Sequence, residues 1–179
     1  MGLEKSMINN SLQLAFKIIK EEVKNAKKGL SKDIFHFVSS LTPIVNVDLL
    51  IKNENHETLL TWRSDEFYGP GWHLPGGVIR FKENPISRIE KVALSELGCQ
   101  VLYDNSPLTV RSQTADDRDV RGHFISLLYK CSLKTPLSST MKAFGSTPSN
   151  GQWRWHKKAP TDLLSVHESF RVFINGDIN

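Results

Sequence analysis

A single acidic residue, Glu96, stands where the sequence predicts the edge of a buried helix face. At about 100° per residue, it lies beside the apolar arc formed by Ile86, Ile89, Ala93 and Leu97. It also lies in the last helical turn, where the helix dipole disfavours an anion. Because an unpaired buried carboxylate is costly, we expect a cation next to Glu96. That cation is either a lysine or arginine side chain, or a Mg²⁺ ion that also binds substrate phosphates.

The turn Pro75-Gly76-Gly77 precedes this helix and favours the metal ion. Two glycines after a short predicted strand allow close backbone approach and expose carbonyl oxygens that can complete an oxygen shell around a cation. Because turns use Pro-Gly-Gly freely, the pattern is weak on its own. The spacing of the residues that follow is more specific.

Residues 77–99 together resemble the Nudix box, the loop–helix–loop segment that holds the metal in Nudix hydrolases. The matching positions are Gly77, Glu83, Lys91, Ala93, Glu96, Gly98 and Cys99. The usual box carries three helix carboxylates, whereas this chain has Val92 and Ser95 at two of those positions and keeps only Glu96. As in the family, we expect Glu83 and Lys91 to form an ion pair that fixes the loop to the helix.

A single surviving glutamate is also the mark of one subfamily, and the sequence looks like the GDP-mannose mannosyl hydrolases. The resemblance runs from about residue 30 to residue 174 and includes positions 41–45, 72–77, 93–98, 123–124 and 153–155. It implies an α/β fold, the Nudix-type α/β/α sandwich around a mixed β-sheet, assembled as a homodimer. We expect residues 1–30 to be an N-terminal helical extension and residues 31–179 to form the Nudix hydrolase domain.

The resemblance also implies a reaction. One Mg²⁺ would be held by the Gly76 carbonyl and by Glu96, water would attack the anomeric carbon, and GDP would leave as a metal-stabilised anion. We therefore predict Mg²⁺-dependent hydrolysis of a nucleotide sugar, GDP-mannose or GDP-glucose, to GDP and free sugar. Two alternatives stay open: a pyrophosphohydrolase acting on a nucleoside diphosphate derivative, and a catalytically weak nucleotide-sugar-binding module.

Several basic residues are candidates for binding the diphosphate. Arg63 matches a family arginine that contacts this group, and Val78 stands where the family has a second arginine after the glycine pair. Arg80 or Lys82 is our candidate to replace that second arginine. The full set of substrate-binding candidates is Arg63, Arg80, Arg118, Arg121 and His123. Three aromatic residues either stack on the nucleotide base or pack in the core: Trp62, Tyr68 and Trp72.

The sequence does not identify the general base. The family uses a Gln-His pair in the loop before residues 153–155, with the glutamine as a metal ligand and the histidine as the base. Counting back without gaps places Ser149 and Asn150 there, and an asparagine has no proton-accepting group near neutral pH. His123 and Asn150 are the catalytic candidates that remain, and Gln152 is the candidate metal ligand if the loop is shifted.

Hydropathy patterns predict the elements that position these residues. The first segment has apolar residues at helical spacing, and this stripe packs either on its own domain or on a second copy of the chain: Ile8, Leu12, Ala15, Phe16, Ile19 and Val23. Gly29 is expected to end this helix. Strands are predicted over 44–51, 59–63, 72–74, 101–103, 108–113, 122–133 and 153–156. Asn84 caps the central helix, Gly98 ends it, and a closing helix is predicted over 163–174.

Composition narrows the functional class. The chain has 179 residues, a formal net charge of +4 and a pI of about 9.1, a mild basicity that suits an anionic ligand better than nucleic acid. Cys99 and Cys131 are too few for a disulfide framework or a zinc cage. Neither a membrane-spanning run nor a signal-peptide pattern is expected. We therefore predict a cytoplasmic protein without a nucleic-acid or membrane partner.

Overall fold

The computed structural model describes residues 2–177, and their side chains from residue 9 onward. The α-helices are α1 (Gly2–Glu22), α2 (Lys32–Ser39), α3 (Pro85–Leu97) and α4 (Arg171–Asn175). The strands are β1 (Ile44–Ile51), β2 (Thr58–Arg63), β3 (Gly71–His73), β4 (Gly76–Val78), β5 (Val101–Tyr103), β6 (Thr109–Thr114), β7 (His123–Leu133) and β8 (Trp153–His156). Short 3-10 helices cover Ala26–Lys28, Ser139–Met141 and Ser165–Phe170.

The strands form two sheets. In the larger sheet the order is β4-β1-β7-β5, and β6 also pairs with β7. Strands β1 and β7 are parallel, with Ile44 opposite Phe124 and Ile51 opposite Cys131, whereas β4, β5 and β6 pair antiparallel with their neighbours. In the smaller sheet β2 pairs antiparallel with both β3 and β8. The larger sheet is therefore mixed, as predicted.

Strand β1 contributes to two hydrophobic clusters, because successive side chains project from opposite faces of the strand. The first cluster joins the larger sheet to α3 and includes Val47, Leu49, Ile51, Ile89, Val92, Ala93 and Leu97. The second joins β1 to the smaller sheet and the C-terminal helical segment and includes Leu50, Leu60, Trp72, Leu74, Phe170 and Ile174. The even-numbered face of β1, which also carries Asp48, therefore lies on the side of the second cluster.

The central helix forms as predicted, and the closing helix does not. Asn84 Oδ1 accepts the Ile86 N–H at 2.9 Å, and Gly98 ends α3 in the left-handed region with φ +63°. The predicted helix over 163–174 is instead a 3-10 helix followed by the short α4. Leu164 N–H donates to the Trp72 carbonyl, which keeps residues before 165 extended beside β3.

The N-terminal helix α1 is present but shorter than predicted. It ends at Glu22, and Gly29, with φ +106°, follows the next 3-10 turn. Its described apolar side chains are largely exposed: Leu12 by 50%, Leu14 by 59%, Phe16 by 48% and Ile18 by 58%. Within the predicted stripe, Ile19 and Val23 are half-buried, and the side chain of Ile8 lies outside the described residues. Packing on its own domain and packing on a second copy of the chain therefore both stay predictions. Among the helices of residues 2–177, none has the length and apolar character to cross a membrane.

Candidate active site

A cavity of about 470 Å³ is lined by residues from both sheets, from α3 and from the C-terminal segment. Its polar lining combines acidic, basic and imidazole groups, including Asp48, Arg63, Glu96, Arg121, His73 and His167. Gly76 and Gly77 lie in the same wall. The cavity therefore brings both predicted metal-binding positions, Gly76 and Glu96, to one place.

Strand β4 is an edge strand that presents the backbone of Gly76 to its surroundings. Leu49 N–H donates to the Pro75 carbonyl at 2.9 Å, and the next opposed pair is Gly76 with Asp48. Hydrogen-bonded and non-hydrogen-bonded pairs alternate in an antiparallel ladder, so the N–H and C=O of Gly76 point away from β1. The carbonyl oxygen is thus available to a cation, as the sequence predicts.

Glu96 is half-buried beside Gly76, and no cationic side chain from residue 9 to residue 177 pairs with it. None of the ion pairs among the described side chains includes Glu96. Burial raises the pKa of Glu96 to about 7, although the Gly76 N–H that donates to it and the nearby Arg63 act in the opposite direction. Of the two expected cations, the lysine or arginine partner is therefore not found in the described part of the chain.

The predicted ion pair between Glu83 and Lys91 is present, and Arg88 extends it. Glu83 accepts hydrogen bonds from Lys91 Nζ at 2.7 Å, from Arg88 Nη2 at 2.5 Å and from the Arg80 N–H at 2.9 Å. Burial alone would raise the pKa of Glu83, but these donors bring it down to about 2. The charged cluster therefore ties the loop after β4 to the helix that carries Glu96.

A second carboxylate, Asp48, also borders Gly76, and no sequence motif points to it. Asp48 projects from β1 and is only 2% exposed. Its Oδ2 accepts hydrogen bonds from Asn46 Nδ2, at 2.8 Å, and from Ser126 Oγ. A Cβ atom on Gly76 would collide with Asp48 Oδ1. The carboxyl groups of Asp48 and Glu96 therefore both border one glycine.

Two stacked imidazoles, His73 and His167, also line the cavity, with their ring centroids 5.9 Å apart. His167 Nδ1 accepts the Leu74 N–H at 3.0 Å, and His167 Nε2 lies 3.4 Å from Asp48 Oδ1. His73 Nε2 lies 3.0 Å from Thr61 Oγ1. Burial and the neighbouring His167 lower the pKa of His73 to about 3. His73 is therefore neutral at pH 7 and a weak base.

Arg63 and Arg121 supply positive charge to the cavity. Arg63 Nε donates to Asp65 Oδ2 at 2.5 Å, and its guanidinium carbon lies 4.5 Å from the ring centroid of Tyr68. The Arg121 guanidinium lies 5.3 Å from the Tyr68 ring and 4.8 Å from the Phe67 ring. Within the described residues, the buried Arg121 Nε has no hydrogen-bond partner. Guanidinium groups bind phosphate oxygens well, because they donate charge-assisted hydrogen bonds in a fixed planar arrangement.

Three other predicted binding residues are not brought to the cavity. Arg80 packs its guanidinium against Gly29, and Arg118 lies over the ring of Tyr68 outside the lining. His123 Nε2 lies 3.0 Å from Ser112 Oγ. The structure therefore brings Arg63 and Arg121 to the cavity and leaves these three residues outside its lining, and phosphate binding stays a prediction.

The loop before β8 places Asn150 in the cavity lining and Gln152 outside it. Asn150 lines the cavity, and its Oδ1 accepts the Ser64 N–H at 3.0 Å, which fastens the loop next to Arg63. Gln152 Oε1 accepts the Ser149 N–H at 2.8 Å, and Gln152 is not part of the lining. Neither the Asn150 hydrogen bond nor the Gln152 hydrogen bond supplies a general base or an oxygen ligand for a metal ion.

Among the aromatic candidates, Trp62 is half-buried and lines the cavity, whereas Trp72 and Tyr68 are buried. The two tryptophan rings meet edge to face with centroids 5.2 Å apart. Trp62 and Tyr68 therefore both line the cavity, and Trp72 packs in the second hydrophobic cluster.

Asp48 and His167 are the site residues that sequence reasoning missed. Asp48 and Asn46 are the two polar residues of strand β1, and a buried carboxylate needs partners, which is a signal that could have drawn attention to Asp48. His167 carries no such local signal, because its partners Leu74 and Asp48 are distant in the chain.

A comparison of sequences finds a distant relative. No protein-family model matches the chain. Over 105 residues the chain is 30% identical to the low-salt glycan biosynthesis protein Agl8 of Haloferax volcanii. The match covers 56% of this chain and 66% of that protein, slightly less than two thirds of its length.

A comparison with solved structures finds several proteins of similar fold. A MutT protein from Methanosarcina mazei Go1 matches with a TM-score of 0.57 and 16% identity, over 76% of this chain and 96% of that chain. A UDP-X diphosphatase matches with a TM-score of 0.54 and 15% identity, over 96% and 93% of the two chains. A NUDIX-family hydrolase from Clostridium perfringens gives 0.54 and 15%, over 76% and 96%. The chain therefore has the Nudix α/β fold with an additional N-terminal helix, as predicted.

Proposed function

We propose that this protein is a Mg²⁺-dependent hydrolase of a nucleotide sugar that cleaves the glycosidic C–O bond and releases a nucleoside diphosphate and free sugar. The observation that carries the proposal is Glu96, a carboxyl group that has no cationic partner among the described side chains and lies against the outward-facing backbone of Gly76. GDP-mannose and GDP-glucose are the favoured substrates, because the box resembles that of the GDP-mannose mannosyl hydrolases.

The residues around Gly76 fit a Mg²⁺ ion. The Gly76 carbonyl and Glu96 would supply two oxygen ligands, and Asp48 adds negative charge beside them. Residues 2–177 contain no group of three or more Asp, Glu, His or Cys side chains suited to a metal. Mg²⁺ commonly uses one or two carboxylates and takes its other ligands from water and substrate phosphates. When bound, the ion would stabilise the negative charge of the departing diphosphate.

The basic and aromatic residues of the cavity fit the rest of a nucleotide. Arg63 and Arg121 would bind phosphate oxygens, and the buried Arg121 Nε would gain the acceptor that it lacks among the described residues. Trp62 would stack on the base. With a nucleoside diphosphate as the leaving group, fixed cations of this kind supply much of the transition-state stabilisation.

The chemistry of the cavity favours the C–O bond. Most Nudix enzymes attack phosphorus with the help of several box carboxylates, and Val92 and Ser95 stand at two of those positions here. Departure of a diphosphate from the anomeric carbon instead develops positive charge on the sugar. Asp48 would stabilise that charge. Because such a strongly electrophilic carbon needs little activation of water, a cavity whose His73 has a pKa of about 3 can still support the reaction.

Two of the similar proteins bear on the choice of bond. A relative named for glycan biosynthesis suits a sugar-bearing substrate. The name of the UDP-X diphosphatase suits cleavage within the diphosphate, so a pyrophosphohydrolase is our second candidate.

Hydrolysis of a panel of GDP- and UDP-sugars in ¹⁸O-labelled water with Mg²⁺ tests the proposal. Cleavage of the C–O bond places ¹⁸O in the sugar, whereas cleavage at phosphorus places it in a phosphate and yields a nucleoside monophosphate. Glu96→Gln should lower kcat about 100- to 1000-fold. Glu90→Gln, exposed on the same helix, is the matched control. A nucleoside monophosphate product would support the second candidate, and binding without turnover would indicate a binding module.

A further inference from the structure

His167 lines the cavity, and both of its ring nitrogens face defined partners. Leu74 N–H donates to His167 Nδ1 at 3.0 Å. A ring nitrogen that accepts a hydrogen bond carries no proton, so the proton of the neutral ring is on Nε2. His167 Nε2 lies 3.4 Å from Asp48 Oδ1, which is longer than an ordinary N–H···O hydrogen bond, so the polar N–H acts on that carboxylate oxygen through its field.

The two oxygens of Asp48 have different surroundings. Oδ2 accepts hydrogen bonds from Asn46 and Ser126. Oδ1 is the oxygen next to Gly76; it accepts no hydrogen bond from the described side chains, and His167 Nε2 lies 3.4 Å from it. A carboxylate that is 2% exposed loses much when a donor is removed, since water does not replace it. His167 therefore determines how Oδ1 is held.

The backbone that carries His167 is fixed independently of Asp48. Trp72 N–H donates to the Asp162 carbonyl, and Leu164 N–H donates to the Trp72 carbonyl, both at 2.9 Å. The His167 side chain is itself buried, with its ring centroid 6.1 Å from that of Phe170. The imidazole is therefore a fixed reference against which the carboxylate is oriented.

We propose that His167 is a positioning residue, which holds Asp48 Oδ1 toward Gly76 and the reacting sugar. This inference rests on the proposed function. His167 itself transfers no proton, because Nδ1 is occupied by Leu74 N–H and Nε2 already carries the proton. It acts through Asp48, by orientation and by the field of its N–H group.

A matched pair of variants separates this role from a structural one. In His167→Asn the amide oxygen replaces Nδ1 and keeps the Leu74 contact, but the side chain is too short to reach Asp48. In His167→Gln the amide nitrogen reaches the position of Nε2 and restores a donor to Asp48. We expect kcat to fall about 10- to 100-fold in His167→Asn and to recover largely in His167→Gln, with KM nearly unchanged.

The controls make the comparison decisive. Ser169→Ala, an exposed change in the same segment, should leave kcat unchanged. Equal kcat values in the Asn and Gln variants, or recovery in His167→Asn instead, would overturn the proposal. So would a loss confined to KM or to the melting temperature.

A spectroscopic measurement tests the inference without depending on the enzymatic reaction. Imidazole ¹⁵N spectra should show His167 as the Nε2-protonated tautomer, and Asp48→Asn should shift the Nε2 resonance. A ring protonated at Nδ1 would refute the positioning role. Failure of all nucleotide sugars to react would instead count against the proposed function.

Discussion

Gly76 lacks a side chain where the carboxylate of Asp48 faces it between β4 and β1. A methyl group on Gly76 would collide with Asp48 Oδ1 and lie 2.8 Å from the Val47 carbonyl oxygen. Overpacking of this kind forces neighbouring groups out of their minima. We expect Gly76→Ala to lower the free energy of unfolding by about 1–3 kcal/mol, measured by urea denaturation.

A double variant that combines Gly76→Ala with Asp48→Ala identifies the origin of that loss in stability. Asp48→Ala removes the carboxylate and one of the two collisions. The double variant should therefore be more stable than the sum of the two single losses implies. Strictly additive losses would show that the methyl group does not meet Asp48.

Protons and Mg²⁺ should compete for Glu96. Because burial raises the pKa of Glu96 to about 7, Mg²⁺ binding should be strongest above that pH and weaken by up to about tenfold per pH unit below it. Calorimetric titration of Mg²⁺ with GDP present, repeated across this range, measures the effect. In Glu96→Gln binding should be weak at all of these pH values, and a persisting pH dependence would assign it to another group.

The same pKa predicts the stability of the metal-free protein. The folded state holds the Glu96 proton more tightly than the unfolded chain does, where the ordinary pKa is 4.5. The contribution of Glu96 is therefore fully stabilising below pH 4.5 and is lost as the pH rises through about 7. Mg²⁺ should raise the melting temperature more on the alkaline side of this range than on the acid side, and equal increments would contradict the prediction.

Removal of the cavity arginines should weaken substrate binding. Arg63→Met and Arg121→Met each delete charge-assisted hydrogen bonds of about 1.5–3 kcal/mol, which corresponds to a rise in KM of about 10- to 150-fold. Initial rates with the preferred nucleotide sugar measure the change. Arg111→Met, on the exposed part of β6, is the control, and a similar rise there would point to net charge rather than contact.

The two cations around Glu83 should contribute unequally to stability. The Arg88 side chain is 10% exposed and the Lys91 side chain is 58% exposed. Arg88→Met leaves a buried carboxylate short of donors and should cost about 3 kcal/mol. Lys91→Met should cost less than about 1 kcal/mol. Chemical denaturation compares the two, and losses of equal size would argue against a burial-dependent contribution.

Most of the fold follows from local patterns. Strand β1 was predictable from the alternation over residues 44–51, and α3 from the Asn84 cap and Gly98. Strand β4 was not, because a Gly-Gly pair has weak strand propensity and its pairing is imposed by β1. The closing helix begins late because Trp72 holds the preceding backbone in hydrogen bonds, a contact that no local pattern records.

The candidate site likewise combines residues that local sequence patterns predict with residues that only tertiary contacts bring together. Gly76, Glu96 and the Glu83–Lys91 pair belong to one segment with its own spacing, and the structure places them as expected. Asp48 and His167 meet only through tertiary contacts, so periodicity gives no sign of their proximity. His123 and Gln152 were chosen by residue type, but their hydrogen bonds to Ser112 and Ser149 turn them to local partners.

The late position of His167 in the chain has a consequence for biosynthesis. The segment from β1 to α3 emerges from the ribosome well before residues 162–170, which complete the cavity and cover the second hydrophobic cluster. A nascent chain at that stage already displays Gly76 and Glu96, yet leaves Trp72 and Leu74 uncovered. Translation that stalls before His167 would therefore yield a client for chaperones and proteases instead of a finished protein.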